Sequence, residues 1–253
     1  MDALFAAIAE QAALYLPVDQ TDGSAAYKKW EEGTVWSQAL NTVRSPKDFF
    51  FPQTENLMAF KTQGKTIEVI DTRSESEDFV IFGVRACDVK SFDILDRVFL
   101  SEPRDSFYAA RREHGIIVSL ACTRPAETCF CKTFGIDPAT PAGDITAWRT
   151  ATHVYFEANT DKGAALLEKL EGLTESCDTT AVEEQQAQIG AIMDKLPLKD
   201  LTTDAFGGGK TAELFNDPAW DELSQSCLGC GTCTFVCPTC QCYDIKDFNT
   251  GNG

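Results

Sequence analysis

The chain has 253 residues, 43% of them hydrophobic, and a formal net charge of −17 from 22 basic and 39 acidic side chains. That is enough chain for one large domain or two modest ones with a proper core. An acidic balance of this size argues against nucleic acid and anionic membrane surfaces as partners, while leaving docking onto a basic protein open. Eleven cysteines stand against two histidines, His114 and His153, so any metal site must be dominated by thiolates, which favours iron–sulfur or zinc. No apolar stretch reaches the length of a membrane span. The N-terminus carries Asp2 and Glu10 and no basic region, so it reads as a short helix and not a signal peptide. The expected location is cytoplasmic, where thiols stay reduced.

In chain order, an apolar, Ala-rich helix is expected over residues 3–16, ending before Pro17, with a polar loop over 18–29. Val35 and Trp36 suit a short strand. Phe49, Phe50 and Phe51 ahead of Pro52 suggest an extended segment packed in the core, a reading preferred over a ligand-stacking site. A short helix is expected over 55–61. Residues 79–84, F-V-I-F-G-V, form a continuous apolar run, the mark of a strand buried on both faces. The run leads into Cys87 and then a helix over 89–98. Residues 116–120, I-I-V-S-L, repeat the pattern and lead into Cys122. Both cysteines fall just past the carboxyl end of a buried strand, the edge where open α/β sheets bind ligands. Parallel neighbouring strands would bring Cys87 and Cys122 to one rim.

Cys129 and Cys131 add two thiols on the following T-C-F-C loop. Four cysteines are what a [4Fe-4S] or a zinc site requires. The C-x-C spacing is not that of a ferredoxin, however, and a free cysteine often only packs. Residues 137–144 are a turn-rich loop, 154–158 a strand and 164–170 a helix. Cys177 is a lone thiol with a structural role. An amphipathic helix is expected over 180–196, ending before Pro197.

Gly207, Gly208 and Gly209 precede Lys210 and Thr211, but a phosphate-binding loop would need glycine at 204, where Asp204 stands. The stretch is read as a flexible linker. The expected fold class is therefore α/β: a domain over 1–200 with a mixed or mainly parallel sheet, a linker over 201–216, and a small helical ferredoxin-like iron–sulfur segment over 217–253. Asp217 caps a helix with Pro218 at its first position, and that helix, 218–225, delivers the most informative stretch of the chain.

That stretch places Cys227, Cys230, Cys233 and Cys237 in the spacing C-x2-C-x2-C-x3-C, followed by Pro238. It is the bacterial ferredoxin run for a [4Fe-4S] cluster. The cluster is compact, so three ligands must come from one tight loop. Gly229 and Gly231, flanking Cys230, let the backbone curl close, and Pro238 ends the loop. Zinc would want two separated cysteine pairs or histidine, and a disulfide framework would suit a small secreted chain. The fourth cysteine of such a run usually serves the other cluster of a two-cluster ferredoxin. No second run follows, and Cys240 and Cys242 supply only two further thiols. Either one cluster is closed locally or the functional unit is larger than this chain. Without a Ser–His–Asp set, G-x-G-x-x-G or a His-rich site, the chain reads as a conduit for electrons with no catalytic residue of its own. The alternative is a structural docking subunit whose thiols bind zinc or nothing.

The stretches Phe50-Phe51-Pro52-Gln53, Gly83 to Asp88, Leu95 to Phe99, Thr128 to Cys131 and Cys227 to Asp244 together carry a resemblance. The chain resembles the iron–sulfur beta subunits of cytoplasmic nickel–iron hydrogenases of the sulfhydrogenase type, and the corresponding iron–sulfur subunit of anaerobic sulfite reductase. The resemblance implies an electron-transfer subunit with several [4Fe-4S] clusters. It implies a position between two other subunits, one a flavin- or nucleotide-dependent reductase and the other catalytic. It also implies a cluster held by Cys87, Cys122, Cys129 and Cys131, in addition to the one at Cys227–Cys237. Family members typically continue into a second ferredoxin run.

Overall fold

The protein is described here by a computed structural model covering residues 1–72 and 77–248. Residues 249–253 of the expected ferredoxin-like segment lie outside the described residues. In order, the elements are α1 (Asp2–Ala9), β1 (Ala13–Asp19), β2 (Ala25–Lys29), β3 (Ala59–Gln63), β4 (Thr66–Ile70), β5 (Phe79–Val84), α2 (Ala86–Phe99), α3 (Ser106–His114), β6 (Gly115–Leu120), β7 (Ile145–Arg149), β8 (Val154–Ala158), α4 (Asp161–Glu168) and α5 (Thr180–Met193). Three short helices follow: α6 (Lys210–Glu213), α7 (Ala219–Ser224) and α8 (Thr232–Val236).

Six strands form one sheet in the order β2-β1-β5-β6-β7-β8. β1, β5, β6 and β7 run parallel, and the edge strands β2 and β8 are antiparallel. The fold is thus α/β with a mixed sheet. The two apolar runs recognised in the sequence become its centre, because a strand with no polar face is stable only where both faces are covered. Along β5 the side chains alternate. Val80 and Phe82 pack with Leu14, Leu16, Val118 and Leu120 against Leu4, Phe5 and Ile8 of α1 and Leu166 of α4. Ile81 points the other way and, with Ile117, packs against Val89, Phe92, Leu95 and Phe99 of α2 and Tyr108 of α3. Each such side chain, fully buried, contributes about 1.5–3 kcal/mol.

Near its carboxyl end β5 carries a register shift at Gly83, whose φ is +84°. Only glycine adopts that conformation without strain. A bulge there re-aims the chain as it leaves the sheet toward Arg85 and Cys87. On the α2–α3 side, Asp96 accepts hydrogen bonds from the Tyr108 hydroxyl (2.7 Å) and from Nε and a terminal nitrogen of Arg112 (2.9 and 2.8 Å). The Arg112 guanidinium lies 4.9 Å from the Phe50 ring centroid and 5.7 Å from that of Phe92. This fork ties the two helices over the core.

Several local expectations are corrected. Residues 13–16 belong to β1 and not to the first helix, because Leu14 and Leu16 alternate into the core and the sheet claims them. Pro17 lies within β1, and residues 25–29 of the expected loop form β2. Val35 and Trp36 form no strand; Trp36 instead meets Phe82 edge-on at 5.0 Å. The phenylalanine triplet is core, as expected, but it enters through a 3-10 turn (Pro46–Phe49) and is not extended. No helix covers 55–61, where β3 begins at Ala59. The elements α3, β4 and β7 had no clear period in the sequence.

Replacing Asp96 by alanine strands Arg112, a half-buried cation at 23% exposure, without its carboxylate. The expected cost is about 2 kcal/mol, between the values for surface and buried pairs. It should appear as a lowered denaturant midpoint at unchanged m-value, and an unchanged midpoint would refute the role assigned to this fork.

Candidate iron–sulfur sites

The C-terminal run is built by short-range chemistry. The Asp217 carboxylate accepts the Ala219 N–H at 2.9 Å and starts α7. After that helix the chain turns through Gly229 (φ +66°) and Gly231 (φ +73°), left-handed conformations that other residues adopt only with strain. The Gly229 N–H points at Cys227 Sγ, 3.4 Å away. This is the kind of donor that tunes a thiolate ligand. The Cys230 thiol donates to the Thr232 hydroxyl at 3.3 Å. When Cys230 ionises, that hydroxyl and the Thr232 N–H stabilise the thiolate and lower its pKa. Partial burial works against ionisation of Cys237, but hydrogen bonds from the Thr239 hydroxyl and N–H and from Cys240 outweigh it and hold the thiol at about 7. Cys240, hydrogen-bonded to Cys237, is pushed up by that partner.

The run is also held from a distance. Lys47, in the 3-10 turn, is 6% exposed, and its Nζ donates to the carbonyl oxygens of Cys237 (2.8 Å) and Cys240 (3.0 Å). Arg44 lies 4.9 Å from the Phe235 ring centroid, and Tyr243 meets Phe51 edge-on at 6.3 Å. Lys47 was not legible in the sequence. It lies 190 residues before Cys237, and nothing in its neighbourhood marks it.

The second group sits at the carboxyl rim of the sheet. β5 and β6 are parallel neighbours, with Phe79 opposite Gly115 and Phe82 opposite Val118. Cys87, in the first turn of α2, and Cys122, directly after β6, therefore arrive at the same edge. Cys129 and Cys131 follow on the connection to β7 and pack against Ala121, Ala139 and Trp148. Cys87 keeps an open residue surface, yet its thiol is crowded. Burial first, then the charges of Asp88, Cys131 and Cys122, push it up to about 12. Burial and the neighbouring Cys129 and Cys122 push Cys131 to about 11. Burial also raises Cys122, opposed by Arg85. Cys87 thus feels Cys131 and Cys122, and Cys129 acts on Cys131 and Cys122, all within one region of the rim. Arg85 braces the rim, donating to the carbonyl oxygens of Leu40 and Ala39 (3.0 Å each) and Ala121 (3.4 Å). Beside it opens a cleft of about 460 Å³ lined by Arg85, Arg124 and Arg149 and by no carboxylate. In a chain of net charge −17, that local reversal of sign suits the negative charge that clustered thiolates carry.

Among the described residues, no three Cys, His, Asp or Glu side chains converge at metal-holding distance. The fit of a cluster therefore rests on donor chemistry. Both groups offer thiols alone, and all eleven cysteines are free. Soft thiolate sets select iron–sulfur clusters or zinc, and the left-handed Gly229 and Gly231 let the C-terminal loop turn tightly between its cysteines. Cys177 is exposed, so the structural role expected for it finds no packing to support it.

Residues 226–253 match the family described as 4Fe-4S dicluster domain. Together with the thiol-only donors, this defines an iron–sulfur protein whose cofactor is the [4Fe-4S] cluster. The chain is also 32% identical, over 213 residues, to sulfhydrogenase 2 subunit beta of Pyrococcus furiosus, covering 81% of this chain and 59% of that protein. It belongs to the hydrogenase beta-subunit iron–sulfur family. It spans little more than half the length of the curated relative it matches. No solved structure matches it. Among the described residues, no helix is long and apolar enough to cross a membrane.

The two groups of thiols should differ in reactivity when the chain is reduced and metal-free. At pH 8 Cys237, near 7, is about nine-tenths thiolate, while Cys87, near 12, is ionised to roughly one part in ten thousand. Iodoacetamide labelling read by peptide mass spectrometry should modify Cys237 and Cys230 well before Cys87 and Cys131. Equal labelling rates would contradict the burial assigned to the rim.

Proposed function

We propose that this chain is an iron–sulfur electron-transfer subunit. It relays single electrons within a cytoplasmic oxidoreductase complex such as a hydrogenase, between a flavin- or nucleotide-dependent reductase partner and the catalytic one. The observation that carries the reading is the run Cys227–Cys237 on its glycine-shaped loop, presented at the surface and clamped to the sheet domain through Lys47. A [4Fe-4S] cluster supplies one-electron redox chemistry when bound. Cys227, Cys230, Cys233 and Cys237 would hold one cluster, and Cys87, Cys122, Cys129 and Cys131 another. The N–H of Gly229 would donate to ligand sulfur, and Arg85 would offset charge at the rim.

The division into an α/β domain over 1–200, a linker over 201–216 and an iron–sulfur segment over 217–253 is part of this reading. The absence of regular structure between Met193 and Lys210 supports a boundary there, while α6 (Lys210–Glu213) and a 3-10 turn (Leu214–Asn216) occupy the second half of the stretch read as linker. Exposed apolar side chains near the run support docking to other subunits. Phe215 is 80% and Leu228 94% exposed, and Trp220 and Leu223 also face solvent. Surfaces of this kind mark protein contacts.

Anaerobic reconstitution with iron and sulfide, followed by metal and acid-labile sulfide analysis and low-temperature EPR of the reduced protein, tests the proposal. The expected content is about eight iron and eight sulfide per chain, from two cubanes. Cys233→Ala should remove the C-terminal cluster and Cys122→Ala the other, each lowering the count by about four irons. Bound zinc with no EPR signal would replace this reading with that of a docking subunit.

A further inference from the structure

Among the described residues Lys47 is the one charged residue that is buried, at 6% exposure. Burying an ammonium is costly unless an opposite charge compensates it. No carboxylate among the described residues pairs with it, and the adjacent Asp48 is engaged by Arg44. Two of its N–H groups are spent on the carbonyl oxygens of Cys237 and Cys240, at 2.8 and 3.0 Å. These carbonyls bracket the turn Cys237-Pro238-Thr239-Cys240, so one cation grips the last segment of the cysteine run from both sides. Pro46 fixes the start of the 3-10 turn that carries Lys47, and the Ser45 side chain accepts the Lys47 N–H. The lysine is thus held rigidly at its base and aimed at its target.

We propose that Lys47 is a positioning residue for the C-terminal cluster, acting both as a mechanical clamp on the Cys237–Cys240 turn and as the fixed counter-charge of the thiolate-bound cluster. The inference rests on the reading that the run holds a [4Fe-4S] cluster. Its physical basis is simple. Reduction adds one negative charge to an already anionic group, and a cation in a dry setting favours the more negative state. The clamp explains why the run is seated on the α/β domain although most of its side chains face water. The charge explains why an ammonium without a carboxylate is kept buried against the backbone of the cysteine run.

Three variants of the full chain separate the two roles. Lys47→Arg keeps charge and donors, Lys47→Gln keeps a donor without charge, and Lys47→Met removes both. The readout is an EPR-monitored redox titration of the signal that Cys233→Ala abolishes. In Gln and Met variants of unchanged iron and sulfide content, the reduction equilibrium should shift about tenfold toward the oxidised cluster, which is about 59 mV for one electron. The Arg variant should stay at the wild-type potential. Limited proteolysis of the metal-free chain reads the clamp without any cluster. Cleavage around 201–216 and within the run should accelerate in the Met variant and stay near wild type in Arg and Gln. Wild-type potentials in Gln and Met would overturn the counter-charge, and wild-type proteolysis in Met would overturn the clamp. Failure of the wild-type chain to take up iron and sulfide would instead overturn the cluster reading itself, and the proteolysis would still decide the clamp.

Discussion

The parallel pairing of β5 with β6 is the constraint on which the rest of the molecule depends. Each strand is apolar on both faces, so neither can lie at a surface, and the only stable arrangement layers helices above and below them. The same pairing points both carboxyl ends the same way. Cys87 and Cys122, separated by more than thirty residues of chain, thereby reach one rim. The bulge at Gly83 belongs to this constraint as well, since it turns the chain out of the sheet where the first thiol must be delivered.

Electrostatics gives the two thiol groups different characters. At the rim, burial opposes ionisation, and the thiols need a neighbouring positive charge to become thiolates. Arg85 within the rim supplies such help to Cys122, and Arg124 and Arg149 line the cleft beside it. In the C-terminal run the thiols meet water, and hydroxyl and N–H donors from Thr232 and Thr239 favour the thiolate. There the single buried cation is Lys47. The acidic surface of the molecule is therefore interrupted by positive charge at the two places where sulfur collects, as expected if anionic groups are to be held there.

Cysteine spacing was legible at once, because three ligands from one short loop leave their signature in consecutive residues. The rim was legible only as two similar strand–cysteine units. Nothing in either unit states that the strands are parallel neighbours, and the two helices between them leave that to the packing. Where the sequence misled, the cause was tertiary override of local propensity. Ala-rich residues 11–13 and Leu14 read as helix, but Leu14 and Leu16 gain more by alternating into the sheet core. Strand β7 escaped notice because I-T-A-W-R mixes polar and apolar residues, and its burial comes from distant segments, with Ile145 and Ala147 packed with Leu166 of α4 and Trp148 with Ile189 and Met193 of α5.

By itself the sequence determined the donor chemistry: which thiols exist, how four of them are spaced, which glycines let the loop turn, and which two runs must be buried. These are properties of neighbouring residues, set by bond geometry and local sterics. The tertiary structure alone decided which distant groups come to one place: Cys87 and Cys122 at the same rim of the sheet, Arg85 with the carbonyls of Ala39, Leu40 and Ala121, and Lys47 with the turn at Cys237. Such meetings are products of burial, in which the whole chain seeks cover for its apolar faces and polar groups are carried to wherever that cover places them.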